Sequence, residues 1–464
     1  MTTHPDRRSR EDLPVLFFVH GLGLGAAAAG RIAELLRDTV RVQGIDLPGF
    51  GAAADATPLG LEDSVAFVER RIGEHSAAQW GLAGHSMGGK IAALVAARAL
   101  SGQSGLFGLR GLVLLAASPL RPEPMDEERR RDMLAWTDGP SIGDEHAETF
   151  VEANAAEGFA GPARALAVSL VAGTASEAWR SWLERGSRED WQARVPVSPV
   201  PTLILSGAED GDDLGAAAQA RLNAPQYEHA QQAIVEGAGH LLMLEQPTAV
   251  AELIAGFWRE RVENGPSVPA AVARTIASPR TSARTRGVLA RRALADPIAS
   301  DPLALTAGQL ATLRTLAEHV VPQDGPRIDL AVRVDRQLSR GEGDGWRPAD
   351  LPDDAGAYRL ALDGLRGWAE LPEAERSAAL EGIADGSTAV DGLTGAQLSS
   401  WFEDARVDLV RQWLAHPATM ARIGFDGFAN GGDGARLQGF TELRAGSREA
   451  WEPIAATTTE EETR

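Results

Sequence analysis

Cysteine is absent from the 464 residues. That rules out a disulfide framework, a thiolate nucleophile, an iron–sulfur cluster and any cysteine-based zinc site. Lysine is nearly absent: Lys90 is the single one in a chain rich in Ala, Arg and Gly, which reads as codon usage in a GC-rich genome without functional weight. Positive charge is scarce too. Sixty-five acidic residues against 45 basic ones leave a formal net charge of −20, the wrong balance for a chain whose main business is nucleic acid, since phosphate needs a basic surface. No apolar run approaches the roughly 18 residues of a membrane-spanning helix. The opening MTTHPDRRSREDLP has no apolar stretch before Glu11 and Asp12, so no signal peptide is expected and the expected compartment is the cytoplasm.

What remains is ordinary globular material, 44% apolar and 24% charged, long enough for two to four domains at roughly 100–200 residues each. Up to Val262, apolar runs alternate with amphipathic segments of helical length. Val15–His20, Arg41–Leu47, Trp80–His85, Leu112–Ala117, Thr202–Gly207 and Ala233–Gly237 read as strands. Arg31–Asp38, Leu59–His75, Met87–Leu100 and Thr248–Val262 read as helices. This alternation predicts an α/β fold, a mostly parallel doubly wound sheet of six strands with helices on both faces, and the continuous apolar runs suit strands buried on both sides. No strand pattern falls between 120 and 195. A helical cap is expected there, with Trp136, Trp179, Trp182 and Trp191 either lining a pocket or packing the cap down. The run Asp126–Asp132 reads as a solvated helix face.

Residues 263–302 are rich in Pro, Ser, Ala and Arg and lack a strong period. They are expected to be a solvated, protease-sensitive linker or, alternatively, a basic segment that docks an acidic surface. From 303 to 464 the pattern is helical, with Thr306 and Thr394 placed to open helices, which predicts a separate all-α C-terminal domain.

Chemistry concentrates in the first part. Gly84-His85-Ser86-Met87-Gly88 fits G-x-S-x-G between a strand and a helix. In such a turn the serine oxygen stands clear of the sheet, and the new helix aims its first N–H groups at developing negative charge. His20-Gly21-Leu22-Gly23 follows the first strand, Asp46-Leu47-Pro48-Gly49 the second, Gly207-Ala208-Glu209-Asp210 the fifth, and Gly239-His240 the sixth. Over residues 13–262 this constellation resembles the α/β-hydrolase superfamily in the order Ser…Asp…His. The resemblance implies Ser86 as nucleophile, His240 as its base, Asp210 as the acid that orients His240, and the amides of Leu22 and Met87 as the oxyanion hole. His229 is the alternative base, and Glu209, Asp212 and Asp213 are alternative acids. His20 and His85 are expected to support turns, and Asp46 to be structural. A serine at the turn implies acyl transfer to water from a small-molecule ester, lactone or related acyl substrate, without a cofactor or metal.

The second part carries its own resemblance. LTAGQLATLRTLAEHVVPQDG, then His416-Pro417, Gly424–Gly432 and Trp451-Glu452-Pro453, are similar to the gluconate 2-dehydrogenase subunit 3 family over about 303–454. This implies docking to the large subunit of a flavin-dependent (GMC-type) sugar or alcohol dehydrogenase, and, in the alternative, an accessory subunit with a vestigial hydrolase. His319 and His416 are isolated and not at metal-binding spacing.

Overall fold

The computed structural model describes residues 13–75, 77–297, 301–343, 348–434 and 444–447. Six strands form one sheet: β1 (Val15–Val19), β2 (Arg41–Ile45), β3 (Trp80–His85), β4 (Leu109–Leu115), β5 (Thr202–Gly207) and β6 (Ala230–Val235). Their order is β2-β1-β3-β4-β5-β6 and every pairing is parallel. The all-parallel sheet is the architecture the alternating pattern demands. β1, β3, β4 and β5 are buried at every position because helices cover both faces.

The chain runs from β1 outward to β2, then crosses back to pair β3 on the other side of β1. Open α/β sheets place their ligands at such a reversal, which here falls at the carboxyl ends of β1 and β3. The register aligns those ends, with Val19 opposite Gly84 and Gly207 opposite Val235. Four loops, after β1, β3, β5 and β6, therefore converge on one edge of the sheet.

Between β4 and β5 four helices form the cap: Glu127–Ala135, Asp144–Asn154, Gly161–Ala172 and Ser176–Glu184. Trp179 and Trp182 are buried. Trp179 donates its indole N–H to the Met133 carbonyl at 3.1 Å and meets Phe150 edge-on at 5.0 Å. A methyl group at Gly23 would lie 3.0 Å from its ring, so Trp179 seats the cap on the loop after β1. Trp136 and Trp191 are only partly buried. The Asp126–Asp132 run is not wholly a solvated face. Asp126 caps its helix by accepting the Glu128 and Arg129 amides, while Arg130 is buried and donates to the Leu183 carbonyl and the Ser187 hydroxyl.

Residues 263–297 depart from the solvated linker that composition predicts. Two helices, Ala270–Ala277 and Ala283–Arg292, bury Ala273, Ile276, Leu289 and Ala290 in the same core as the sheet. The second lies on the helix Met87–Ser101, where Gly102 and Gly287 allow the backbones to touch: a Cβ on Gly287 would meet the Ser101 carbonyl at 2.6 Å. Arg286 is buried, and its guanidinium serves four carbonyls, those of Gly102, Ile276, Ser278 and Thr281, at 2.8–3.0 Å. Composition is blind to this, since an arginine that organises backbone carbonyls counts the same as a solvated one.

Further along, the helices Ala307–Val320, Leu330–Arg340, Asp354–Gly364, Glu373–Ala384 and Gly395–Leu414 close around a second apolar core that includes Leu313, Val334, Ala361, Trp401 and Leu409. Thr306 and Thr394 each form a capping box with the glutamine three residues on. Among the described residues this region is helical, apart from an isolated bridge between Val390 and Leu393. The short helix Pro417–Arg422 follows, capped by His416, whose Nδ1 accepts the Ala418 amide. The chain then returns to the first core: Phe428 and Ala429 are buried in it, and Asp433 accepts the Ala283 amide. The motif Trp451-Glu452-Pro453 lies outside the described residues.

Candidate functional site

Ser86 sits between β3 and the helix Met87–Ser101 with φ 51° and ψ −122°, a conformation that non-glycine residues rarely adopt. The surrounding glycines are sterically obligatory. A Cβ on Gly88 would collide with the Val19 carbonyl, and one on Gly84 would meet Gly89 Cα at 2.7 Å. The turn therefore packs against the backbone after β1 and holds the serine side chain at the open edge of the sheet.

The loop after β6 presents His240 to it. His240 Nε2 is 2.9 Å from Ser86 Oγ, and its Nδ1 is 3.0 Å from Asp210 Oδ2. All three are nearly enclosed: Ser86 is 9% exposed, His240 8%, and the Asp210 side chain 8%. Burial by itself would lower the proton affinity of His240. The charge and hydrogen bond of Asp210 outweigh that, so His240 is held above the ordinary histidine value. The alternatives lie elsewhere. His229 precedes β6 and stands beside Arg336. Glu209 accepts the Glu157 amide in the cap. Asp213 is pushed up by burial, and no contact joins Asp212 or Asp213 to His240.

The Met87 amide is the first of its helix and has no carbonyl four residues back to bind. Among the described residues no protein acceptor takes the Leu22 amide either. His20 and His85 hold the frame. His20 is fully buried, donates through Nδ1 to the Gly21 carbonyl at 2.9 Å and accepts the Leu47 amide at Nε2 at 3.1 Å, so it joins the loop after β1 to the loop after β2. His85 donates through Nε2 to the His240 carbonyl at 2.8 Å. Burial lowers the proton affinity of both, and the amide that His20 Nε2 accepts requires the neutral form of that ring. Asp46 accepts the Ala26 amide at 2.7 Å, a turn-forming contact.

Two further residues build the site, Glu245 of the Glu245-Gln246-Pro247 turn that opens the last helix of the α/β part, and the single lysine, Lys90. Glu245 accepts the Gly239 amide at 3.0 Å and the Ala156 amide at 2.6 Å. With the His240 amide donating to the Asn154 carbonyl at 2.8 Å, it clamps the His240 loop to the cap. Lys90, one turn after Ser86, is fully buried. Its ammonium donates to the carbonyls of Arg121, Gly186 and Glu189 at 2.7–3.1 Å and faces the Trp182 ring at 5.9 Å. Burial lowers it to about 8, partly opposed by Glu123, Glu189 and Asp190. The lone lysine thus has a specific place: it ties both ends of the cap to the helix that begins at Ser86.

Among the described residues no group of three or more His, Asp or Glu is arranged to hold a metal, and no helix is long and apolar enough to cross a membrane. The profile of the Alpha/beta hydrolase family matches residues 16–253. The chain is 27% identical over 253 residues to a 2-succinyl-6-hydroxy-2,4-cyclohexadiene-1-carboxylate synthase of Citrobacter koseri, covering 53% of this chain and 94% of that protein. A synthase of the same name from Escherichia coli matches at 28% identity over 28% of this chain, and there the match spans about half of the relative, 49%. Similar solved structures include an esterase from Exiguobacterium antarcticum (TM-score 0.47, 19% identity, 53% of this chain and 92% of that one) and an enol-lactonase from Burkholderia xenovorans (TM-score 0.46, 19% identity, 54% and 92%).

Proposed function

This chain belongs to the alpha/beta hydrolase family, and we propose from that premise that it is a serine hydrolase opening a small ester or lactone through an acyl-enzyme on Ser86. The observation that carries the reading is the relay Ser86 Oγ–His240 Nε2–Asp210 at 2.9 and 3.0 Å on a strained strand-to-helix turn. In this reading His240 takes the hydroxyl proton as Ser86 attacks the acyl carbon. Asp210 holds the imidazole with Nδ1 protonated and stabilises the imidazolium. The amides of Met87 and Leu22 receive the oxyanion, each worth roughly 3 kcal/mol of barrier stabilisation. His240 then protonates the leaving alkoxide and activates the water that frees Ser86. No cofactor enters. Hydrolysis of p-nitrophenyl acetate and a set of lactones by the purified chain tests the proposal: turnover that vanishes in Ser86→Ala supports it, and turnover equal in wild type and Ser86→Ala removes it.

A second reading has a specific support. The relatives from Citrobacter koseri and Escherichia coli are named synthases of a cyclohexadiene carboxylate, a name that does not describe acyl transfer to water. In such a reaction His240 acts as base with no acyl-enzyme, and failure to trap an acyl intermediate in an active protein selects this reading.

For the helical region the proposal is docking to a flavin-dependent sugar or alcohol dehydrogenase, supported by the resemblance at Leu305–Gly325, His416-Pro417 and Gly424–Gly432 to the gluconate 2-dehydrogenase small subunit family. Exposed apolar side chains there, Val407, Val410, Leu414, Ile423 and Phe425, suit a protein partner. A lactone released by such an enzyme is a fitting substrate for Ser86. Co-expression with a dehydrogenase large subunit and co-purification of flavin absorbance tests the docking. An active Ser86 relay argues against the alternative of a vestigial hydrolase on an accessory subunit.

A further inference from the structure

On the edge of the sheet opposite Ser86, a cleft of about 530 Å³ opens between the α/β core and the second helical core. One wall is the end of the helix Met87–Ser101 with the segments that lead into β5 and β6, Pro196–Pro199 and Glu228-His229. The other is the end of the helix Ala283–Arg292 and the face of Leu330–Arg340. Five arginines line it against three carboxylates, in a chain whose net charge is −20.

The carboxylates do not neutralise this charge. Asp296 is spent on Arg333, which it meets at 2.9 Å with both groups buried. Glu228 lies 3.7 Å from Arg340 and 3.9 Å from His229. Glu342 makes no ion pair among the described residues. Three arginines are left without a carboxylate partner there. Arg291 spends one N–H on the Leu100 carbonyl at 2.7 Å. Arg336 reaches only the His229 Nε2 at 3.4 Å. Arg292 has no side-chain partner among the described residues, and burial together with Arg333 and Arg291 lowers its proton affinity. His229 is lowered by burial and then by Arg336. Arg291 and Arg292 are exposed and Arg336 is half-buried, so like charges stand together at the wall of the cavity. Guanidinium groups in this arrangement recognise carboxylate and phosphate oxygens in pairs, and the volume falls in the range of small-metabolite pockets.

We infer that this interdomain cleft binds a multivalent oxyanion of metabolite size, a polycarboxylate or a phosphate compound, held by Arg291, Arg292 and Arg336. A ligand there touches the α/β core and the second helical core at once, so it stiffens their junction at a distance from the reacting serine. The site stands independently of the hydrolase reading.

The test is titration calorimetry of the full chain with citrate and, separately, with inorganic pyrophosphate, against sodium chloride at matched ionic strength. Saturable binding of either ion supports the site, and which one binds identifies the source as carboxylate or phosphate. Arg292→Gln combined with Arg336→Gln should weaken that binding at least tenfold while circular dichroism stays unchanged, whereas Arg284→Gln, exposed and outside the cleft, should leave it as it was. Two results overturn the inference: no heat beyond the chloride control for either ion, or binding that the double substitution leaves intact or that Arg284→Gln weakens equally.

Discussion

At Ser86 the backbone carries a conformation that costs on the order of 1–3 kcal/mol, and the contacts of Gly84 and Gly88 with neighbouring backbone keep it there. In the proposed relay, Ser86→Ala and His240→Ala each remove an element of one concerted unit. The double substitution should then cost little more than either single one in kcat. Losses that add on a logarithmic scale contradict the relay. The pH profile is a separate check. In the proposed relay His240 works in its neutral form, and Asp210 raises its proton affinity above the usual 6.5. Activity should therefore fall as pH drops through a midpoint above 6.5, and Asp210→Asn should move that midpoint downward as it lowers kcat. At this scale much was legible. Ser86, Asp210 and His240 come within hydrogen-bond reach of one another because each follows a strand and strand ends are rigid. Glu245 and Lys90 were not legible in these roles, because their partners are backbone carbonyls and amides, which leave no mark in a sequence.

Among the elements, the cap is the one whose attachment is most specific. Lys90 joins it to the helix Met87–Ser101 and Glu245 joins it to the His240 loop. Glu245→Ala leaves the Gly239 and Ala156 amides without acceptors, a loss of about 1–3 kcal/mol. It should lower kcat more than it raises KM, because His240 is repositioned rather than the pocket reshaped. For Lys90, burial sets the proton affinity near 8 in the folded chain against 10.5 for a free lysine. Between those values the unfolded chain binds the extra proton, so deprotonation favours the folded state. Over that window wild type should gain up to about 3 kcal/mol on Lys90→Met. Urea unfolding of both proteins at pH 7.5 and pH 10 measures this, and a constant difference between them contradicts it. The strands were readable because buried parallel strands need unbroken apolar runs. The helices Ala270–Ala277 and Ala283–Arg292 were not. Alanine and arginine at helix spacing give a weak apolar stripe, and the glycine contact that seats the second helix depends on what lies opposite.

For the molecule as a whole, the segment between the two cores is part of the first. Arg110 of β4 shows why: buried, it donates to the carbonyls of Val262 and Ala293 at 3.1 and 2.8 Å. A chain ending at residue 262 loses the second of these and uncovers the surface beneath Ile276, Leu289 and Leu294, each worth about 2 kcal/mol of burial. It should be poorly soluble or melt well below the full chain, while a chain ending at 297 should keep the α/β core folded. Limited trypsin treatment should spare Arg286 in the native protein. Early cleavage at Arg286, or a stable fragment ending at 262, contradicts the packing described above.

The central claim is that Ser86 is a nucleophile activated by His240, and a fluorophosphonate probe tests it most directly. The native chain should take up one phosphonyl group, mass spectrometry should place it on the peptide containing Ser86, and His240→Ala should abolish the labelling. A native, folded chain that stays unlabelled, or that is labelled at a serine other than Ser86, contradicts the account.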